Sequence, residues 1–177
     1  MYNPLVRKII LCLVLLSQVA FAQGTRPNVD AQRTAMKKLA FLVGTWEGGA
    51  TTTHGEQEIK VKQTEQVTFK LDGLVLLIEG TGRDPATGEA KFRALATVAY
   101  DDLAGVYHFR AYNEGNYVDS EMKVVDSGFE WGFKAGPSQI TFIMKLDDKG
   151  AWVERGFATV ATGQRVPFFE MNVHKQK

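Results

Sequence analysis

Cysteine is almost missing from these 177 residues, and the single one, Cys12, lies in an apolar stretch near the N-terminus. Beyond residue 22 the chain has no thiol at all. That excludes disulfides, a cysteine nucleophile and thiolate metal sites there. Histidine is scarce too: His54, His108 and His174 lie far apart and lack the spacing of a metal-ligand set. Neither sign of charge is in excess, with 21 Lys and Arg against 20 Asp and Glu. So even a balance argues against nucleic acid or an anionic membrane surface as the partner. No Ser/His/Asp or Cys/His signature is visible, no two carboxylates have the spacing of an acid/base pair, and no glycine loop stands between a strand and a helix where it would cradle phosphate. No catalytic residue is assigned, and a binding role is expected over an enzymatic one.

The N-terminus reads as a targeting segment. Arg7 and Lys8 precede the apolar run Ile9 to Leu16, and Ala20-Phe21-Ala22 supplies a small-x-small pattern before Gln23. These are the three parts of a secretory signal peptide over residues 1–22. Its apolar run falls short of the roughly 20 residues that cross a bilayer comfortably, and Cys12 lacks the small preceding residue of a lipid-attachment site. The expectation is a secreted or periplasmic protein with no membrane contact after cleavage, a loose leader over 23–29 and one domain over 30–177. Losing Arg7 and Lys8 with the signal leaves 19 basic residues against 20 acidic ones. With 45% hydrophobic residues and no disulfide, the core alone must hold the fold.

From Asp30 to Val43 the apolar positions Ala35, Met36, Leu39, Ala40, Leu42 and Val43 recur at three and four residues, which predicts a short helix with Asp30 as N-cap and Gly44 as its stop. After Trp46 the period becomes two. Ile59, Val61, Val67 and Phe69 take one parity and Glu58, Lys60, Lys62, Thr68 and Lys70 the other, as in a half-buried antiparallel strand. Turn residues such as Asp101-Asp102-Leu103-Ala104-Gly105, Asn113-Glu114-Gly115-Asn116 and Asp126-Ser127-Gly128 punctuate about ten such segments. Connections this short forbid parallel crossovers, so the strands must form a meander. Ten meandering strands curl and close to lose their edges. The fold class expected is all-β, a single antiparallel up-and-down barrel behind a short helix. Leu74 to Ile78 is apolar on both parities, so its outer face needs cover from the helix or from a second copy in a homodimer.

Candidate ligand residues come from strand parity. His108, Arg110 and Tyr112 share one face, Tyr107, Phe109 and Ala111 the other. With the first face inward, an imidazole, a guanidinium and a phenol converge on the lumen and suit an acidic, apolar ligand. With the second inward, His108 and Arg110 sit in water, as burial favours. Trp131 and Phe142 lie in apolar parity sets that line either a plain core or a pocket. Glu65, Glu79, Glu154, Arg155 and Glu170 interrupt apolar strands, and most are expected on outer faces.

The run FLVGTWEGGA, in which Gly44-Thr45-Trp46 opens the first strand, and the chain end FFEMNVHK resemble bacterial calycin-like, lipocalin-like secreted domains of unknown function. The resemblance implies that Gly44 and Trp46 close one barrel end and that Trp46 stacks on a basic side chain from a late strand, Arg155 or Arg165. It implies a container for a small hydrophobic or amphiphilic molecule and no cofactor. The disulfide and the second sequence triplet of lipocalins proper are absent. The chain is more distantly similar to nitrobindins, which implies the alternative of haem on a histidine near the tail, His174, with redox or nitrogen-oxide chemistry. A non-binding oligomeric module is the remaining alternative.

Overall fold

The computed structural model describes residues 26–177; the expected signal peptide, Cys12 and the first part of the leader lie outside the described residues. A helix α1 (Val29–Met36) runs into a 3₁₀ segment (Lys37–Leu42) and then into ten strands. These are β1 (Gly44–His54), β2 (Gln57–Lys70), β3 (Val75–Arg83), β4 (Ala90–Asp101), β5 (Val106–Asn113), β6 (Asn116–Val125), β7 (Gly128–Ala135), β8 (Ser138–Leu146), β9 (Trp152–Thr159) and β10 (Arg165–Lys175). Each strand pairs antiparallel with its sequence neighbour, and β10 returns to β1, so the sheet is a closed barrel with no free edge.

Turn chemistry sets the register. Asp84, Asp101 and Asp147 each accept backbone N–H bonds from residues two to four positions onward, at 2.8–3.0 Å. Each of these turns also uses a positive-φ glycine, Gly88, Gly105 and Gly150 in that order. At the β2–β3 corner, Leu71, Asp72 and Gly73 are all left-handed, with φ of 50°, 53° and 90°. The Asp72 carbonyl accepts a 3.1 Å bond from Arg33 Nε, which ties this corner to α1.

The helical region differs from its sequence reading in three ways. Asn28, not Asp30, is the N-cap, its side chain accepting the Ala31 N–H at 3.0 Å. The last turns are 3₁₀ rather than α. The segment also plugs one end of the barrel: Met36, Leu39 and Leu42 are buried in the core among Trp46, Val67, Leu76, Val98 and Trp152. Tyr107 Oη donates to the Ala35 carbonyl at 2.8 Å, and Asp102 accepts from Asn28 N and Gln32 Nε2 at 2.7 and 2.6 Å, so the plug is latched to β5 and to the β4–β5 turn. On β3, Leu76 and Ile78 are buried while the outward Val75 and Leu77 stay half-buried beside Thr97 and Ala99 of β4.

At Gly48 the β1 backbone approaches β10 closely enough that a Cβ would collide with the Asn172 carbonyl and lie 2.8 Å from Val173 Cα. Gly49, one residue on, would meet only the Val61 carbonyl at 3.9 Å. Gly48→Ala is therefore expected to pry the closing β1–β10 seam and cost about 1–3 kcal/mol. Gly49→Ala should stay within about 0.5 kcal/mol. Paired urea melts of the two variants check this, and equal midpoints would refute it.

Candidate functional site

Two strands carry carboxyls into the barrel. On β2, Gln63, Glu65 and Val67 are buried on one parity, and on β9, Trp152, Glu154 and Gly156 are. Among the described residues, Glu65 at 7% exposure and Glu154 at 8% are the only charged side chains that are buried. Gln63 Nε2 donates to Glu65 Oε1 at 2.7 Å, and Trp152 Nε1 donates to Glu154 Oε2 at 3.1 Å. Glycines make the room. A Cβ on Gly80 would stand 2.8 Å from Glu65 Oε1, and one on Gly82 would stand 2.9 Å from Gln63 Oε1.

Burial dominates the electrostatics. Loss of water pushes the Glu65 carboxyl up to about 7, against the bond from Gln63 and with help from the nearby Glu154 charge. Glu154 is pushed up to about 7 by burial as well, opposed by the indoles of Trp152 and Trp131. Both groups are thus poised between acid and carboxylate at neutral pH.

Above this level the interior has two unlike walls. On one side Trp131 stacks on Phe142 (4.5 Å, 9°), with Phe109 4.3 Å from the indole. A register shift between Pro167 and Phe169 on β10 lets Phe168 and Phe169 both approach Phe142 edge-on, at 5.6 and 5.8 Å. A Cβ on Gly156 beneath them would lie 2.9–3.0 Å from the Phe142 and Phe168 rings and the Phe169 Cβ. The facing wall of β3, β4 and β5 presents the small Gly80, Gly82, Ala94, Ala96 and Ala111, with Ile78, Phe92 and Asn113 on the same parity around them. Ser120, on the inward parity of β6 opposite Phe109, has a solvent-shielded Oγ with no hydrogen-bond partner. Although they face inward, Trp131, Phe142, Phe169 and Ala111 are partly exposed, so this half opens to solvent while the helix closes the other.

The architecture recurs in another protein. No family model matches the chain, and no curated protein sequence matches it. The crystal structure of Rv2717c from M. tuberculosis is similar at a TM-score of 0.61 and 11% identity, over 81% of this chain and 98% of that one. What the two share is the fold. The sequence-predicted ten-strand antiparallel barrel is thereby shown, and the turn residues expected at 101–105, 113–116 and 126–128 lie at its corners.

The candidate residues divide between the two faces of this barrel. Trp131 and Phe142 point inward. His108, Arg110 and Tyr112 point outward, because Tyr107 and Phe109 take the inward parity of β5 and bury their rings. His108 Nε2 lies 3.8 Å from Asp101 Oδ2, and Arg110 pairs with Asp119 on β6. Tyr112 lines a shallow outer depression with Glu79, Arg93 and Tyr117. These three do not form part of the lumen. Gly44 and Trp46 stand at the plugged end, but Arg155 is on the outer face 3.9 Å from Glu170, and Arg165 stacks on Phe157. The basic group over Trp46 is Lys175, with Nζ 5.3 Å from the ring and 3.4 Å from the Phe41 carbonyl. His174 is exposed on β10 and presents no imidazole to the interior. The pairing of Glu65 with Glu154 was not foreseen. Its signal was that each shares the parity of buried apolar neighbours, Val67 and Trp152.

Proposed function

We propose that this chain is an exported, calycin-like binding protein, secreted or periplasmic after loss of residues 1–22, which holds a small apolar or amphiphilic molecule in the open half of its barrel. One observation carries the reading. A solvent-open aromatic wall around Trp131 and Phe142 faces a wall built mainly of glycine and alanine, above a floor sealed by Trp46, Trp152 and the helix. Inward aromatic rings that stay partly exposed, as Trp131, Phe142 and Phe169 do, are a surface that an apolar guest can cover. The acidic-ligand version drew on Arg110, which is engaged outside with Asp119, so an acid has no described guanidinium to meet in the lumen.

The neutral apolar dye N-phenylnaphthylamine tests the container. Its emission should rise on binding at one site per chain, with quenching of the tryptophans. Ala111→Phe fills the small wall and should weaken dye binding about tenfold or more, while Arg110→Ala on the outer face leaves it unchanged. A dye that binds Ala111→Phe as well as the parent, or binds neither, overturns the reading. Native mass spectrometry of protein taken from its own compartment then reads the mass of the resident molecule.

A further inference from the structure

We infer that the lumen recognises amphiphiles with a positively charged amine head, which lies between Glu65 and Glu154 while the apolar tail leaves toward the open end past Trp131 and Phe142. This rests on the container reading and adds the chemical class of its occupant.

Buried carboxyls in proteins are paired, because a lone buried charge costs several kcal/mol. Here two are buried, and every described Lys and Arg is at least partly exposed, so none of them is a buried counter-ion. The donors that do reach them are neutral: Gln63 Nε2 on Glu65 and the Trp152 indole on Glu154. Glu65 keeps Oε2 for a further donor, and the unpartnered Ser120 Oγ is a third polar group without an assignment in the same interior. An ammonium has three N–H donors and no acceptor, which matches a site rich in acceptors. A carboxylate or phosphate head would instead be repelled.

The same arrangement makes binding pH-dependent. The groups facing the two carboxyls from the surrounding strands are Trp46 of β1, Gly80 of β3, Trp131 of β7, Met144 of β8 and Met171 of β10, all uncharged. Glu154 is the charged neighbour that Glu65 has in this interior. Protonation of either removes charge that the ammonium needs, so affinity should rise as pH goes from about 6 to about 8, with protons released on binding.

Displacement of the bound dye by decylammonium, decanol and decanoate, each below its micellar concentration, tests the head group. Decylammonium should displace it at about tenfold lower concentration than decanol at pH 8, with decanoate weakest and only decylammonium losing affinity at pH 6. Glu65→Gln and Glu154→Gln preserve shape and should each bring decylammonium toward decanol while leaving decanol unchanged. If the three displace alike, or decanoate leads, the amine inference fails and the container stands. If the dye itself does not enter the lumen, the container fails.

Discussion

Denaturant unfolding followed across pH is expected to show the barrel losing stability as the solution is raised from about pH 5 to pH 8, opposite to the usual behaviour of carboxylates in folded proteins. Glu65 and Glu154 ionise at 4.5 in the unfolded chain and at about 7 in the barrel. Below the unfolded value both states hold the proton and no penalty arises. Between the two values the unfolded chain has released it and the folded chain has not, so unfolding becomes progressively easier. Above the folded value the loss is complete, at about 3 kcal/mol for each carboxyl. The exposed turn carboxylates act in the other direction. Backbone N–H bonds hold Asp84, Asp101 and Asp147 below the ordinary range, as the Asn28 N–H does Asp102, so their contribution is present at neutral pH and disappears in acid. Stability should therefore peak near pH 5 and fall on both sides. The double variant Glu65→Gln, Glu154→Gln should remove the neutral-side slope and be the more stable protein at pH 8. A slope unchanged in that variant would show that neither carboxyl causes it.

Two buried acids that weaken the fold at neutral pH would be supported by a cationic guest, since whatever binds only the folded state raises its stability with the logarithm of its concentration. The stability and binding experiments are linked by that relation. Decylammonium should raise the unfolding midpoint of the parent protein at pH 8 and have less effect on the Gln variants. Without a guest, the parent must carry the penalty that the variants avoid.

What could be read from the residues follows from how local each signal is. Strand limits were legible because the period of two and the Asp and Gly corners belong to a few residues each, as at Asp101 to Gly105. Barrel closure followed from short connections together with the count of about ten strands. The face of β5 was ambiguous because both parities contain an aromatic ring, and only the competition between Phe109 and Arg110 for the interior decides it. The place of α1 as a plug depends on Tyr107 and Asp102 of the β4–β5 hairpin and on Asp72 of the β2–β3 corner, which meet it from two parts of the barrel. The convergence of Glu65 with Glu154 was hidden most deeply. They are distant in sequence on strands that become neighbours only across β1 and β10, so no spacing rule connects them. Lys175 was missed for a related reason: it lies at the chain end, and only the β1–β10 register sets it opposite Trp46.

Trp46→Ala is expected to cost about 3–5 kcal/mol. The side chain is 1% exposed and touches Trp152 edge-to-face at 5.7 Å, so truncation leaves a large void between the barrel floor and its plug. It also removes a latch. Trp46 Nε1 donates a 2.7 Å bond to the carbonyl of Leu42, the last residue of the 3₁₀ segment, whose carbonyl then loses this donor. Trp46→Phe separates the two effects: it keeps most of the ring, loses the N–H, and should cost nearer 1–3 kcal/mol. Lys175→Ala loosens only an exposed cation over the ring and should cost under about 1 kcal/mol. Hydrogen exchange locates the damage. In Trp46→Ala the amides of residues 29–42 should lose protection before those of β4 to β9, because the plug is held by Trp46 while those strands pair on both sides. A variant that keeps the plug protected, or that loses less than about 1 kcal/mol, would mean that Met36, Leu39 and Leu42 hold the end shut unaided. In that case Trp46 would be one core aromatic among several.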